Sequence, residues 1–141
     1  MNQEIIKRAE EIIAGKAGGG NEGHCVLALI DQDGFPTAST ISVSKAEGIK
    51  WVTLCTGLGS NKAIRIEQLN RASCCFSTAE YNITLVGTIE ILTDPIVKQE
   101  MWYQGLEGHF NGPDDPDYCV LRFTTRRYNL FVDWKEASGD L

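Results

Sequence analysis

The sequence predicts a mainly β fold: a six-stranded antiparallel barrel with helices at its periphery. Three observations carry that expectation. About six β-prone segments follow one another, most of them joined by links of hairpin length. Helical spacing is confined to the N-terminus, one crossing and one segment after the fifth strand. Strands and helices do not alternate along the chain, as a parallel sheet would require. The 141 residues fit one domain, 1–141, long enough to bury one substantial core.

Asn2 is suited to cap a helix within residues 1–14, because Ile5, Ile6, Ala9, Ile12 and Ile13 share one face. Gly15–Gly23, with Gly18-Gly19-Gly20 at its centre, reads as a flexible link to a barrel spanning 24–134. His24–Ile30 is the first strand, and Asp31-Gln32-Asp33-Gly34 makes a hairpin turn. Phe35–Val43 is the second strand, Lys45-Ala46-Glu47-Gly48 the next turn, and Ile49–Thr56 the third strand. Gly57-Leu58-Gly59-Ser60 breaks the β pattern, and helical spacing follows over 61–69. Ala72–Thr78 and Tyr81–Leu92 form another strand pair, with Gly87 marking a bulge or a close backbone approach. Asp94-Pro95 is a cap followed by proline in the first turn, starting a helix over 95–106. An acidic loop, His109–Asp117, leads to a last β segment at Tyr118–Phe123, continued or bent through Tyr128–Trp134.

Composition excludes several classes. A 43% hydrophobic and 23% charged chain is globular rather than disordered. Its net charge of −6, with no basic run longer than Arg126-Arg127, speaks against nucleic acid or an anionic membrane as partner. No apolar run is long enough to span a bilayer, and Met1–Glu11 lacks the apolar core of a signal peptide. Five cysteines, Cys25, Cys55, Cys74, Cys75 and Cys119, form no C-x-x-C pair and lie mostly in apolar runs. They read as small core residues of a cytoplasmic protein. His24 and His109 have no ligand-spaced partner, Asp114-Asp115-Pro116-Asp117 lacks the spacing of a calcium loop, and no metal is expected. No nucleophile–base set is recognisable, so the catalytic residues stay unassigned.

The chemistry concentrates at the junction after the third strand. Two glycines permit a tight turn and Ser60 is placed to cap the helix that follows. The first helical turn leaves N–H groups unpaired and partly positive. Those groups, the Ser60 hydroxyl and the Lys62 ammonium are suited to converge on a phosphate. Gly-x-Gly before a helix is also a common turn, and Lys62 also reads as a solvated charge. Neither a Walker A sequence nor a dinucleotide fingerprint is present.

An ordered series of motifs runs from Leu29-Ile30-Asp31-Gln32-Asp33-Gly34-Phe35-Pro36, through Thr56-Gly57-Leu58-Gly59-Ser60-Asn61-Lys62, to Asn70-Arg71-Ala72-Ser73. It resembles the pyridoxamine-5′-phosphate-oxidase-like superfamily of FMN-binding split barrels. Trp102, the stretch Phe110–Tyr118, Leu121-Arg122-Phe123 and Asp133-Trp134 resemble its bacterial general stress protein branch. The resemblance implies a homodimer with FMN in a cleft at the subunit interface. It implies that Ser60, Asn61 and Lys62 hold the phosphate, and that Ser39, Thr40 and Ile41 lie along the flavin ring. Thr53, Leu54, Cys55 and Thr56 would complete that wall, and Asn82 would reach the flavin of the other subunit.

Two departures bear on activity. Ser39 and Ser44 stand where the resemblance places an arginine and a lysine, and the terminal Arg-x-His-x-Arg segment that grips the vitamin B6 substrate is missing. A site for a phosphorylated pyridine needs paired cations, so pyridoxamine-phosphate oxidation itself is not expected. The leading expectation is an FMN-dependent oxidoreductase acting on a small substrate. The alternatives are a non-catalytic flavin-binding or flavin-sensing stress protein, and a split barrel holding deazaflavin or haem. A barrel for single-stranded nucleic acid is disfavoured by the charge.

Overall fold

The computed structural model describes residues 2–20 and 22–141. Met1 and Asn21, which fall in the expected N-terminal helix and glycine-rich link, lie outside the described residues. In chain order the elements are α1 (Asn2–Ala14), β1 (His24–Ile30), β2 (Pro36–Glu47), β3 (Trp51–Gly57), α2 (Asn61–Gln68), β4 (Arg71–Ser77), β5 (Asn82–Leu92), α3 (Pro95–Met101), a 3-10 turn (Leu106–Gly108), β6 (Tyr118–Val132) and β7 (Lys135–Asp140).

Every strand pairing is antiparallel, and the order β3-β2-β1-β4-β5-β6 closes on itself through β3–β6. Six strands therefore form the barrel. Alternation fills it: Cys25, Leu27 and Leu29 of β1, Cys74 and Phe76 of β4, and Ile83, Leu85 and Ile89 of β5 are all buried in one core. Ile5, Ala9 and Ile13 of α1 and Ile66 of α2 join the same cluster. A second, smaller cluster, Leu106, Tyr118 and Val120, lies outside the barrel beneath Met101, Trp102 and Tyr103.

Local chemistry explains the joints. The Asp31 carboxylate accepts from Asp33 N and Phe35 N (both 2.9 Å) while Gly34 takes φ 84°, which closes the first hairpin. Asp94 caps α3 by accepting from Ile96 N at 2.8 Å, with Pro95 in the first turn. At Gly87 the β5–β6 register shifts, and a Cβ there would lie 1.9 Å from Thr124 O. The bulge is on β6, where Arg126 is left unpaired, and Gly87 opposite it is a close backbone approach.

Several boundaries differ from the sequence expectation. Asn2 is inside α1 rather than before it. Lys45–Glu47 continue β2 instead of turning; the turn is Gly48–Lys50, and β3 starts at Trp51. A shift between Val43 and Lys45 leaves Ser44 as an extra residue, so β2 bends and runs on. The helix expected over 95–106 stops at Met101, because Trp102 turns extended (ψ 137°) and packs edge-on against Tyr118. One strand beyond the barrel region was not expected from the sequence. Asp133 and Trp134, at φ 52° and 64°, form a two-residue turn, and β7 pairs with the second half of β6 outside the closed ring.

Candidate phosphate corner and flanking wall

β3 ends at the corner where the cation and the helix terminus were expected to meet. Ser60 N donates to Gly57 O at 3.0 Å, closing the turn. Ser60 is the N-cap of α2: its Oγ accepts from Ala63 N at 3.2 Å and from the Thr56 hydroxyl at 3.1 Å. The Asn61 and Lys62 N–H groups lie in the first turn, where no upstream helical carbonyl serves them. Asn61 is exposed, and Lys62 and Ser60 are half-buried. The Ser60 hydroxyl and the first-turn N–H groups thus share one end of α2, with Lys62 in the same turn, residue types that fit a phosphate.

Sequence reasoning missed a carboxylate at this corner. Asp117, the residue before β6, accepts from Leu58 N through its carbonyl (2.7 Å) and from Gly59 N through Oδ1 (3.4 Å). A Cβ on Gly57 would stand 2.7 Å from Asp117 Oδ2, so glycine is what lets the carboxylate fold onto the turn. Asp117 braces the corner and sets a negative charge beside it. Its place became visible only once β6 was paired with β3.

The wall residues divide by face. Pro36–Thr40 of β2 are exposed throughout, Ser39 and Thr40 included, whereas Ile41 is 9% exposed and points into the core. Leu54 is fully buried inside the barrel, leaving only its backbone to border a ligand. Thr53 is on the outer face, yet 1% exposed: its hydroxyl accepts from Lys45 N at 3.1 Å and lies 3.3 Å from Met101 Sδ. Cys55, also outward, is half-buried beneath the Met101 carbonyl and the Tyr118 hydroxyl, and burial pushes its thiol up to about 11. Ser44 donates to Met101 O at 2.5 Å and is buried. The C-terminal end of α3 therefore roofs the outer face of β3.

Asn82 lies elsewhere. Gly57 pairs with Tyr118 at one end of β6, while Asn82 pairs with Phe131 towards the other. Its carbonyl accepts from the Cys75 thiol at 3.1 Å and its amide donates to Thr84 Oγ1 at 3.2 Å. The structure gathers Thr56, Ser60, Asn61 and Lys62, keeps Cys55 beside them on β3, and sets Asn82 apart from its own chain's corner.

The roof is fastened through Lys98. This lysine is 7% exposed; its ammonium donates to Asp115 O at 2.9 Å and lies 5.4 Å from the centre of the Tyr118 ring. Tyr118 returns a bond from its hydroxyl to Lys98 O at 2.8 Å, and burial raises its pKa. The Asn111 and Asp117 N–H groups hold the Asp115 carboxyl below its ordinary range. Among the described residues there is no cluster of His, Cys, Asp or Glu fit to hold a metal, all five cysteines are free, and no helix is long and apolar enough to cross a membrane.

A sequence model of the family described as pyridoxamine 5′-phosphate oxidase matches residues 16–131, most of the chain. The chain belongs to the pyridoxamine 5′-phosphate oxidase family. No curated protein sequence matches it. Among solved structures, a protein related to general stress protein 26 from Clostridium acetobutylicum, of the pyridoxinephosphate oxidase family, superposes with a TM-score of 0.85. The two are 24% identical over 100% of this chain and 97% of the other. A haem-binding protein from Mycobacterium smegmatis gives 0.70 at 20% identity, covering 94% of this chain and 57% of that one. A pyridoxamine 5′-phosphate oxidase-related, FMN-binding protein from Nostoc punctiforme gives 0.59 at 15% identity, covering 99% and 94%. At these identities the likeness establishes a shared fold. The ligands of the neighbours belong to the neighbours.

Proposed function

We propose that this family member binds FMN through the β3–α2 corner and works as a flavin-dependent oxidoreductase on a small substrate. The feature that carries the reading is the Thr56–Ser60 hydroxyl pair at the N-terminus of α2, with Lys62 in the first turn of the same helix. A bound flavin would supply the redox chemistry. The chain's own residues would hold the phosphate, present β2 backbone along the ring, and keep water from the β3 side through the Met101–Tyr103 roof. The five free cysteines support a cytoplasmic setting.

The same reading includes a homodimer. Val26, Ala28, Ser73, Cys75 and Thr84 lie half-exposed on the outer face of β1, β4 and β5, a small-residue surface suited to a two-fold contact. Asn82 sits on that face, away from its own corner, where it is suited to serve a partner's cofactor.

A non-catalytic flavin carrier is the second reading, and Ser44 favours it. It stands where the oxidases carry a cation, and its hydroxyl is spent on the Met101 carbonyl. The test is to reconstitute the purified protein with FMN, remove free ligand and record the visible spectrum. A retained band near roughly 450 nm supports flavin binding. Anaerobic bleaching by NADH or NADPH supports the enzyme over the carrier. Complete loss of flavin on gel filtration overturns both.

A further inference from the structure

Arg126 and Arg127 are consecutive in β6 and both face solvent, although neighbours in a strand normally point to opposite sides. The bulge opposite Gly87 causes this. Val86 pairs with Arg127 and Gly87 with Thr125, so Arg126 is the extra residue and the alternation resets behind it. Across β5, Arg71 of β4 pairs with Thr88 and is exposed as well. Two strand spacings, about 10 Å, separate the backbones of Arg71 and the β6 arginines, a gap long side chains bridge from both sides.

The three arginines line a single groove of about 600 Å³, with Val86 and Thr88 between them and Asp140 and Leu141 also among its lining residues. Ion pairs among the described residues involve Arg8 alone, so Arg71, Arg126 and Arg127 have no carboxylate partner within 4 Å. Half of the chain's six arginines gather here, in a protein of net charge −6. Like charges repel, and a groove that keeps three unpaired guanidiniums together is suited to a multivalent anion.

We infer that the Arg71–Arg126–Arg127 groove is a second anion site, separate from the β3–α2 corner, and that it takes the phosphate group of a small molecule. Planar guanidinium forks match tetrahedral phosphate oxygens in pairs, and Thr88, also in the lining, carries a neutral donor. Asp140 opposes binding and lowers affinity.

The test titrates inorganic phosphate, pyrophosphate and ribose 5-phosphate by calorimetry into the Lys62→Ala variant, which lacks the cation of the other corner. Saturable binding of at least one of them at one site per chain is expected, weakened at least tenfold by Arg71→Gln with Arg126→Gln. Asp140→Asn should tighten it several-fold, a gain that misfolding does not mimic. Tighter binding of the ester than of the free ion would support a phosphorylated metabolite as occupant. Equal binding would support the free ion. Absence of saturable heat from all three, or binding indifferent to the arginine substitutions, overturns the site.

Discussion

Thr56 and Ser60 hold their hydroxyl oxygens 3.1 Å apart across the turn that ends β3, and the same Ser60 oxygen accepts from Ala63 N. Ser60 therefore caps α2 at the candidate phosphate corner with one atom, whereas Lys62, in the first turn of α2, takes no part in the cap.

These two roles separate by mutation. Ser60→Ala is expected to lower stability by about 1 kcal/mol, as loss of an N-cap does, and to weaken FMN binding as well. Lys62→Ala should weaken FMN binding with the urea midpoint unchanged. Equilibrium unfolding and flavin fluorescence, measured on both variants, check the pair.

Gly87→Ala should be among the most damaging single-methyl changes in the chain. The added Cβ meets Thr124 O, a backbone atom that cannot swing aside, at 1.9 Å. Overpacking against backbone is expected to cost about 3 kcal/mol or more. Thermal unfolding measures it. Gly34→Ala is the comparison, because nothing lies within 4 Å of a Cβ there and only the positive φ resists substitution.

Those two glycines show how the sequence is legible. Turn and cap chemistry is local: Asp31 and Gly34, Asp94-Pro95, and Ser60 ahead of Ala63 each announce a joint whatever surrounds it. Strand interiors are legible for the same reason, since Leu27 and Leu29 or Ile83 and Leu85 alternate in or out on their own. Lys135–Asp140 escaped notice because only Ala137 of that strand is buried, and its turn is built by Asp133 and Trp134 at positive φ rather than by a glycine. The geometry of the candidate corner, its turn and its Ser60 cap, was legible where it is contiguous, from Thr56 to Lys62. It was not legible where packing decides, as for Thr53, sealed by Met101 from a helix far along the chain, and for Asp117, which reaches the corner through β6.

Lys98 is the fastener to cut. Lys98→Ala removes the bond to Asp115 O and the contact with the Tyr118 ring, at an expected cost of about 1–3 kcal/mol. Limited proteolysis should then cleave within 109–117 faster than in the parent, while the barrel strands stay protected. Cleavage at the parent's rate would mean that the loop is held by its own turns, including the Asp115 bonds to Asn111 and Asp117.

Alkaline pH should destabilise the fold in a defined window. Burial raises the Cys55 and Cys119 thiols from 9.0 to about 11. Below about 9 the thiols are neutral in folded and unfolded chains alike and contribute no pH dependence. Between about 9 and 11 the unfolded thiols ionise and the folded ones resist, so stability falls as pH rises through that range. Tyr118, raised by burial too, adds the same sign above the ordinary tyrosine range. Urea midpoints at pH 8 and pH 10.5 read the effect, and Cys55→Ala should shrink it.

The most direct measurement compares FMN with riboflavin, which has the same ring and ribityl chain without the phosphate. Fluorescence titration of the parent should give FMN at least tenfold tighter, about 1.4 kcal/mol, and Lys62→Ala should close most of that gap while leaving riboflavin unmoved. Equal affinities in the parent, or a gap that survives Lys62→Ala intact, would contradict a phosphate anchored where β3 meets α2.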